Sequence, residues 1–494
     1  MRKHERIKVI PNEVMNWIDG EEVPAEKKKT INKLSPHSGE VICKVTRSTK
    51  LEIDRAVLTA KQAQIRWANI PAVQRGDMLH KICNALENNK EEIAFVVAQE
   101  TGKSYQEALG ETGGAISLGR FYAGEGQRLY GRTTTSGIEN KYASTVRQPC
   151  GVAGLIIAAN TPIANVAWKV FPALICGNGV VLKAAEDTPA TAWIFAKIVH
   201  ESGLPSGVLN VLQGLGDEAG APLVEHEDVD VISFTGSTRV GRWIAETAGK
   251  RLAKVSLELG GKNPLVVCDD ADLDNAVKWV CLSAFSNAGQ RCASGSRIII
   301  FKSVYVEFKK RLLAATRKLS IGPNNGDDLG PVINERQLNN MLTAINAAKT
   351  VGASVLMGGA RLETREYKNG FYIQPTLLES VKPEDDISQN ELFGPIAILY
   401  SVNNFQEALQ LANNSPYGLT ACIHTQNYHR AMEFSHKVKC GATVVNAGTY
   451  GSEPHMPFGG MRQSGNGSRE PGTEALEIYS ELKDIYMIID PSQV

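Results

Sequence analysis

From residue 151 the chain alternates short, unbroken apolar runs with longer stretches in which apolar residues return every three or four positions. The runs at 152–158, 180–183, 208–212 and 231–234 are rich in Val, Ile and Leu and too short for buried helices, which predicts strands covered on both faces. Between them, 190–200 and 239–250 carry helical spacing, and Ser202-Gly203 supplies a glycine stop after the first. Strand and helix in alternation predict a doubly wound parallel sheet.

A second unit of the same kind follows Gly260, with strand-like runs at 264–267 and 298–301 and helical spacing at 272–284 and 304–319. The residues before about 132 read as mostly helical, notably 53–67 and 75–98, and are expected to pack around the first unit. Residues 133–148 are rich in Thr and Ser without helical period, and 482–489 is strand-like. These two segments predict a small β arm whose edges could pair with another subunit. The expected fold class is therefore α/β, with two α/β domains and a β arm.

Composition narrows the function mainly by exclusion. At 494 residues and 43% hydrophobic the chain can bury a large core, and its 53 basic and 53 acidic residues leave no electrostatic footprint for nucleic acid or an anionic membrane. The basic start lacks an apolar run of signal-peptide length, and no later run reaches the roughly 18 residues of a membrane span. A cytoplasmic protein is expected. Its nine cysteines are scattered without a C-x-x-C pair, so reduced thiols are expected. No H-E-x-x-H, Cys/His cluster, Walker loop or G-x-S-x-G elbow is present, and no metal is expected.

The candidate chemistry centres on Asn287-Ala288-Gly289-Gln290-Arg291-Cys292. A thiolate attacks carbonyl carbon well, and the glycine lets backbone approach a substrate closely. Arg291 either lowers the thiol pKa or turns away into an ion pair. Glu258 ends a strand-like run before two glycines, where it could activate the water that hydrolyses an acyl enzyme if its pKa is raised. Asn160 follows a strand and precedes Thr161-Pro162, so its amide could donate to an oxyanion. Phe234-Thr235-Gly236-Ser237 joins a strand to a helix, a place where backbone N–H groups favour phosphate. Lys183 and Glu186 follow the second strand, where an acidic side chain can bind ribose hydroxyls. Each residue alone has a plainer reading: a buried thiol, a solvated charge, a turn asparagine, a helix-capping serine. Gly214-Leu215-Gly216 misses the dinucleotide fingerprint by one residue.

Taken in order, Asn160, Trp168-Lys169, Lys183 to Glu186, Phe234 to Gly241, Glu258 to Lys262, Gly289 to Cys292, Glu391 to Pro395, Asn446 and Pro457-Phe458-Gly459-Gly460 resemble the NAD(P)-dependent aldehyde dehydrogenase superfamily, through nearly the whole chain. The resemblance implies Cys292 as nucleophile, Glu258 as general base, and Asn160 with the Cys292 N–H as oxyanion hole. It implies NAD held by Lys183, Glu186, Gly236 and Ser237, with Glu391 on the nicotinamide ribose and Phe393 against the nicotinamide. It further implies an NAD-binding domain from 1–132 and 150–258, a catalytic domain from 259–460, and an oligomerisation arm from 133–149 and 475–494 of a homodimer or homotetramer. A carboxylate at Glu186 would repel a 2′-phosphate, so NAD is expected over NADP.

The chain departs from the common pattern at Thr161, Ala164, Asn165 and Arg462. The first three make the substrate entrance smaller-sided and more polar, so a polar or acid-bearing aldehyde is expected, in a pocket formed by Thr161, Asn165, Trp168, Arg291 and His455, with Glu453 nearby. Two other readings stay open from the residues alone: a cofactor-independent thioester or ester hydrolase, and a binding protein on an enzyme scaffold.

Overall fold

The computed structural model describes residues 9–364 and 367–493. Its first large sheet has seven strands in the order Lys254–Glu258, Val231–Thr235, Val152–Ile156, Gly179–Lys183, Leu209–Leu212, Asn16–Ile18 and Glu21–Val23. The first five are parallel and almost wholly buried, as their unbroken apolar runs require. Strand order reverses on either side of Val152–Ile156, since the chain first adds strands on one flank and then returns to add Val231–Thr235 on the other. That reversal opens a crevice at the carboxyl ends of these strands, the usual seat of a ligand in such sheets. Lys183, Thr235 and Glu258 all end strands at this edge.

The second large sheet also has seven strands, ordered Ser354–Met357, Thr376–Glu379, Ile396–Val402, Gly295–Phe301, Asn263–Val267, Thr420–His424 and Ala442–Val445, parallel except for Ser354–Met357. Here the residues of interest precede their strands: Lys262 before Asn263–Val267, Cys292 before Gly295–Phe301, and Glu391 before Ile396–Val402. The carboxyl edge of one sheet thus faces the amino edge of the other.

Two expectations change. Residues 75–98 form two helices, Ala72–Asn88 and Lys90–Thr101, broken at Asn89, whose amide bonds back to the Ala85 carbonyl at 2.8 Å. The region before 132 is helical only from Lys50; ahead of it lie five strands of two to six residues, too short and too mixed in polarity to show a period. The arm segments pair with each other in one chain. Lys141–Pro149 and Ser480–Ile488 run antiparallel from Ser480 opposite Pro149 to Ile488 opposite Lys141, and Thr133–Thr135 adds a third strand. Tyr486, Met487 and Ile488 on this arm stay exposed. Among the described residues no helix is long and apolar enough to cross a membrane.

Candidate active site

One cavity of about 350 Å3 lies between the two sheets, and its walls include Asn160, Thr161, Asn165, Trp168, Gly236, Ser237, Glu258, Cys292, Glu391, Phe393 and Phe458. Cys292 reaches it on a constrained loop. Asn287, Ala288 and Gly289 have φ of +52°, +50° and +67°, a left-handed turn that L residues adopt only at a cost of about 1–2 kcal/mol each. At Gly289 the turn also passes so close to Gly394 that a Cβ would lie 2.2 Å from its carbonyl oxygen. Hydrogen bonds hold this shape: Asn263 donates to the Cys292 carbonyl at 2.8 Å and the Ser294 carbonyl at 2.9 Å, and Gln290 accepts from the Ile333 N–H at 2.8 Å. Burial, followed by the carboxylates Glu391 and Glu258, pushes the Cys292 thiol up to about 12.

Glu258 sits at the end of its strand, 4% exposed, and neither carboxyl oxygen has a hydrogen-bond partner. Burial, and next the charge of Glu470, push its carboxyl well above the usual range, against the opposing pull of Lys169 and Arg469. Below it lies a saturated polar cluster. Lys169 donates to Glu470 at 2.8 Å and to Ser233 at 2.6 Å, and Glu470 also accepts from Ser233, Ser256 and Tyr479 at 2.7, 3.2 and 3.1 Å. Glu391 accepts from the Gly261 N–H at 3.0 Å, and burial raises its carboxyl to about 7. Gly260 has to be small beside it, because a Cβ there would come within 2.0 Å of the Glu391 carboxyl.

Asn160 follows the strand Val152–Ile156 and precedes the helix Pro162–Ile175, which begins with proline at its first position. Its backbone carbonyl accepts from Lys103 at 2.7 Å and from Asn287 at 3.3 Å. Lys103 is paired in turn with Glu111 at 2.5 Å, and Glu111 accepts from the Ile163 and Ala164 N–H groups of the helix's first turn. A buried thiol, an unbonded carboxyl and an asparagine anchored through its backbone around one cavity can add to a carbonyl, stabilise the oxyanion and hydrolyse a thioester.

Residues 23–485 match the model of the aldehyde dehydrogenase family. The chain belongs to that family. It is 39% identical over 479 residues to an α-ketoglutaric semialdehyde dehydrogenase of Bacillus subtilis, covering 96% of this chain and 98% of the relative. It is 38% identical to a mitochondrial benzaldehyde dehydrogenase of Antirrhinum majus, covering 95% of this chain and 88% of the relative. The structure superposes on a betaine aldehyde dehydrogenase of Staphylococcus aureus, solved in complex with NAD+, with a TM-score of 0.95 and 32% identity, covering 99% of this chain and 97% of that one. As an aldehyde dehydrogenase family enzyme it is an oxidoreductase, which removes the hydrolase and non-catalytic readings.

Within this aldehyde dehydrogenase the residues that could hold a dinucleotide occupy the crevice. Ser237 caps the helix Thr238–Gly249, accepting from the Val240 N–H, and with Gly236 it lines the cavity at that helix's start. Lys183 and Glu186 lie beyond the cavity walls and pair with each other at 3.2 Å. Burial works to raise Glu186, but the Lys183 ammonium and its own backbone N–H outweigh it and hold the carboxyl below its ordinary value. Phe393 also has a left-handed backbone, φ +55°.

Two expected pocket residues fall elsewhere. Arg291 turns away from the thiol: it pairs with Glu107 at 3.2 Å, bonds Ser286, and lies 4.6 Å over the Tyr450 ring. The Glu107 carboxylate, the Ser286 hydroxyl and the Tyr450 ring engage its guanidinium on the side away from the thiol. His455 is exposed and pairs with Glu453 at 3.5 Å, outside the cavity walls. Trp168 does line the cavity, with its ring edge-on to Phe458 at 5.4 Å. Sequence reasoning missed Glu470, Asn263, Lys103 and Glu111. Only Lys103 carried any signal, as a lysine directly after a helix-ending glycine; Glu470 stands in a polar, glycine-rich stretch with nothing local to mark it.

Proposed function

We propose that this aldehyde dehydrogenase oxidises a neutral polar aldehyde to its acid with NAD, using Cys292 as nucleophile and Glu258 as base. The observation that carries the reading is the convergence of Cys292, Glu258, Asn160 and Glu391 on one cavity, with both Glu258 oxygens left free of protein donors. Cys292 Sγ, its proton released to solvent, adds to the carbonyl carbon, and the carbonyl oxygen becomes an oxyanion facing the Asn160 amide and the Cys292 N–H. When bound, NAD+ would supply the hydride acceptor for oxidation of this adduct to a thioester. Glu258, once it has released its proton, deprotonates water; attack on the thioester breaks the C–S bond, frees the acid, and returns a proton to sulfur.

Gly236, Ser237, Lys183 and Glu186 would hold the phosphates and adenosine ribose, Glu391 the nicotinamide ribose, and Phe393 the nicotinamide face. Glu186 supports NAD over NADP. We keep the expected domain limits, the cytoplasmic location, and a homo-oligomer joined through the exposed apolar face of the arm, which size measurement on a chain lacking 480–494 would test.

The relatives' names span anionic, aromatic and cationic aldehydes, so they do not choose the substrate. The cavity favours a neutral one. No Lys or Arg is among its lining residues, and its two carboxyls, raised by burial, would resist a nearby anion. Thr161 and Asn165 supply polar atoms beside the apolar Trp168 and Phe458. Steady-state rates across matched neutral hydroxylated, acidic, cationic and alkyl aldehydes test this. The highest kcat/KM should fall on the neutral hydroxylated member, and a best rate with an acidic, cationic or long alkyl aldehyde would refute it.

A further inference from the structure

Asn165 entered as a substrate-pocket residue, but its amide nitrogen faces the loop behind the cavity. Within the first turn of the helix Pro162–Ile175 and only 6% exposed, Nδ2 lies 3.0 Å from the Thr161 carbonyl, 3.2 Å from Thr161 Oγ1, 3.4 Å from the Ala158 carbonyl and 3.4 Å from Asn160 Oδ1. An amide nitrogen carries two hydrogens, so these four oxygens share them. Two of the four are backbone carbonyls, which only accept. Reversing the Asn165 amide would put its oxygen against both, so the network itself fixes which end is nitrogen.

The same logic then fixes Asn160. With donor hydrogens arriving from Asn165, Asn160 must turn its oxygen toward them, because its own NH2 there would set donor against donor. Its NH2 consequently points the other way, while its backbone stays anchored through the carbonyl bonds from Lys103 and Asn287. Asn160 lines the cavity that holds Cys292.

We propose that Asn165 is a positioning residue that locks the Asn160 amide with its NH2 toward the oxyanion formed over Cys292. The proposal rests on the reading of Asn160 as oxyanion donor. An unlocked asparagine side chain samples both amide orientations and presents oxygen to the oxyanion part of the time. The locked one meets the developing charge already oriented, with no reorganisation needed in the transition state.

Single-turnover NADH formation, with enzyme in excess over a reactive aldehyde and NAD saturating, is the readout. Asn165→Asp keeps the shape but removes both donors and offers acceptor oxygens that attract the Asn160 NH2 away from the cavity. Asn165→Leu removes the donors without adding charge and serves if the aspartate variant folds poorly. Removing an oxyanion donor outright costs about 100- to 1,000-fold, so either variant should slow the first turnover by about tenfold or more. KM for NAD, and the rise in Tm on adding NAD, should stay near wild type. In an Asn160→Ala background the Asn165 substitution should add almost no further loss, since the amide it orients is gone. Unchanged first-turnover rates in both Asn165 variants, or losses that multiply in the double variant, would overturn the proposal alone. An unimpaired Asn160→Ala enzyme would instead remove the oxyanion reading beneath it.

Discussion

Glu258 and Glu470 are both buried, and the charge of one acts on the other, yet their surroundings are opposite. Glu470 is saturated, with Lys169, Ser233, Ser256 and Tyr479 all donating to it. Glu258 accepts from no protein group. A buried carboxylate normally costs several kcal/mol unless paired, so the fold stabilises one fully and leaves the other exposed to that cost. The difference separates structural from chemical roles better than residue type or burial does: a base that is to take a proton from water needs its lone pairs free.

The sharpest break of this pairing is Glu258→Gln. Turnover should fall by about 100- to 10,000-fold, the usual range for losing a general base, while the fold persists. A loss below threefold would put Glu258 outside the chemistry. Next in size is Glu470→Gln, which leaves Lys169 buried without its counter-charge. Removing one partner of a buried pair costs about 3–5 kcal/mol, measurable by denaturant unfolding. A change under about 1 kcal/mol would mean that the cluster is not structural in the sense argued from its bonds.

The pH dependence sharpens the contrast further. Glu258 has to be ionised to act as base and its carboxyl titrates well above the ordinary value, so the acid limb of kcat should lie correspondingly high. Glu470→Gln removes the negative charge that helps hold Glu258 up, so the limb should move to lower pH. A limb that stays in place would show that the two carboxyls are not coupled. Stability follows the same sign. Because the folded protein binds this proton more tightly than the unfolded chain, the contribution is full below the ordinary glutamate pKa and is lost as pH rises toward the folded value. Glu258→Gln should therefore melt higher than wild type near neutral pH and lose that advantage toward about pH 4.5. The smallest expected effect is in cofactor choice: Glu186→Gln should improve kcat/KM with NADP relative to NAD several-fold, and an unaltered ratio would detach Glu186 from the ribose.

Much of this arrangement was legible in the chain. The strands Val152–Ile156, Gly179–Lys183 and Val231–Thr235 could be read because burial on both faces demands unbroken Val, Ile and Leu, and the motifs fell where those strands end. Cys292, Glu258 and Asn160 were found because each sits beside glycine or proline punctuation. The short strands ahead of Lys50 were not, since the tertiary pairing that makes them strands leaves no local period. Glu470 was invisible for a related reason: its partners Ser233, Ser256 and Lys169 lie 214 to 301 residues away. Arg291 shows the converse limit. Adjacency to Cys292 suggested an effect on the thiol, whereas its direction was set by Glu107 on a distant helix.

The most direct measurement mixes Glu258→Ala enzyme with NAD and aldehyde and follows NADH with intact-mass analysis of the quenched protein. The account predicts close to one NADH per active site followed by a stall, with the acyl mass on the peptide that carries Cys292. Continued turnover at the wild-type rate, or an acyl group on any other residue, would contradict it.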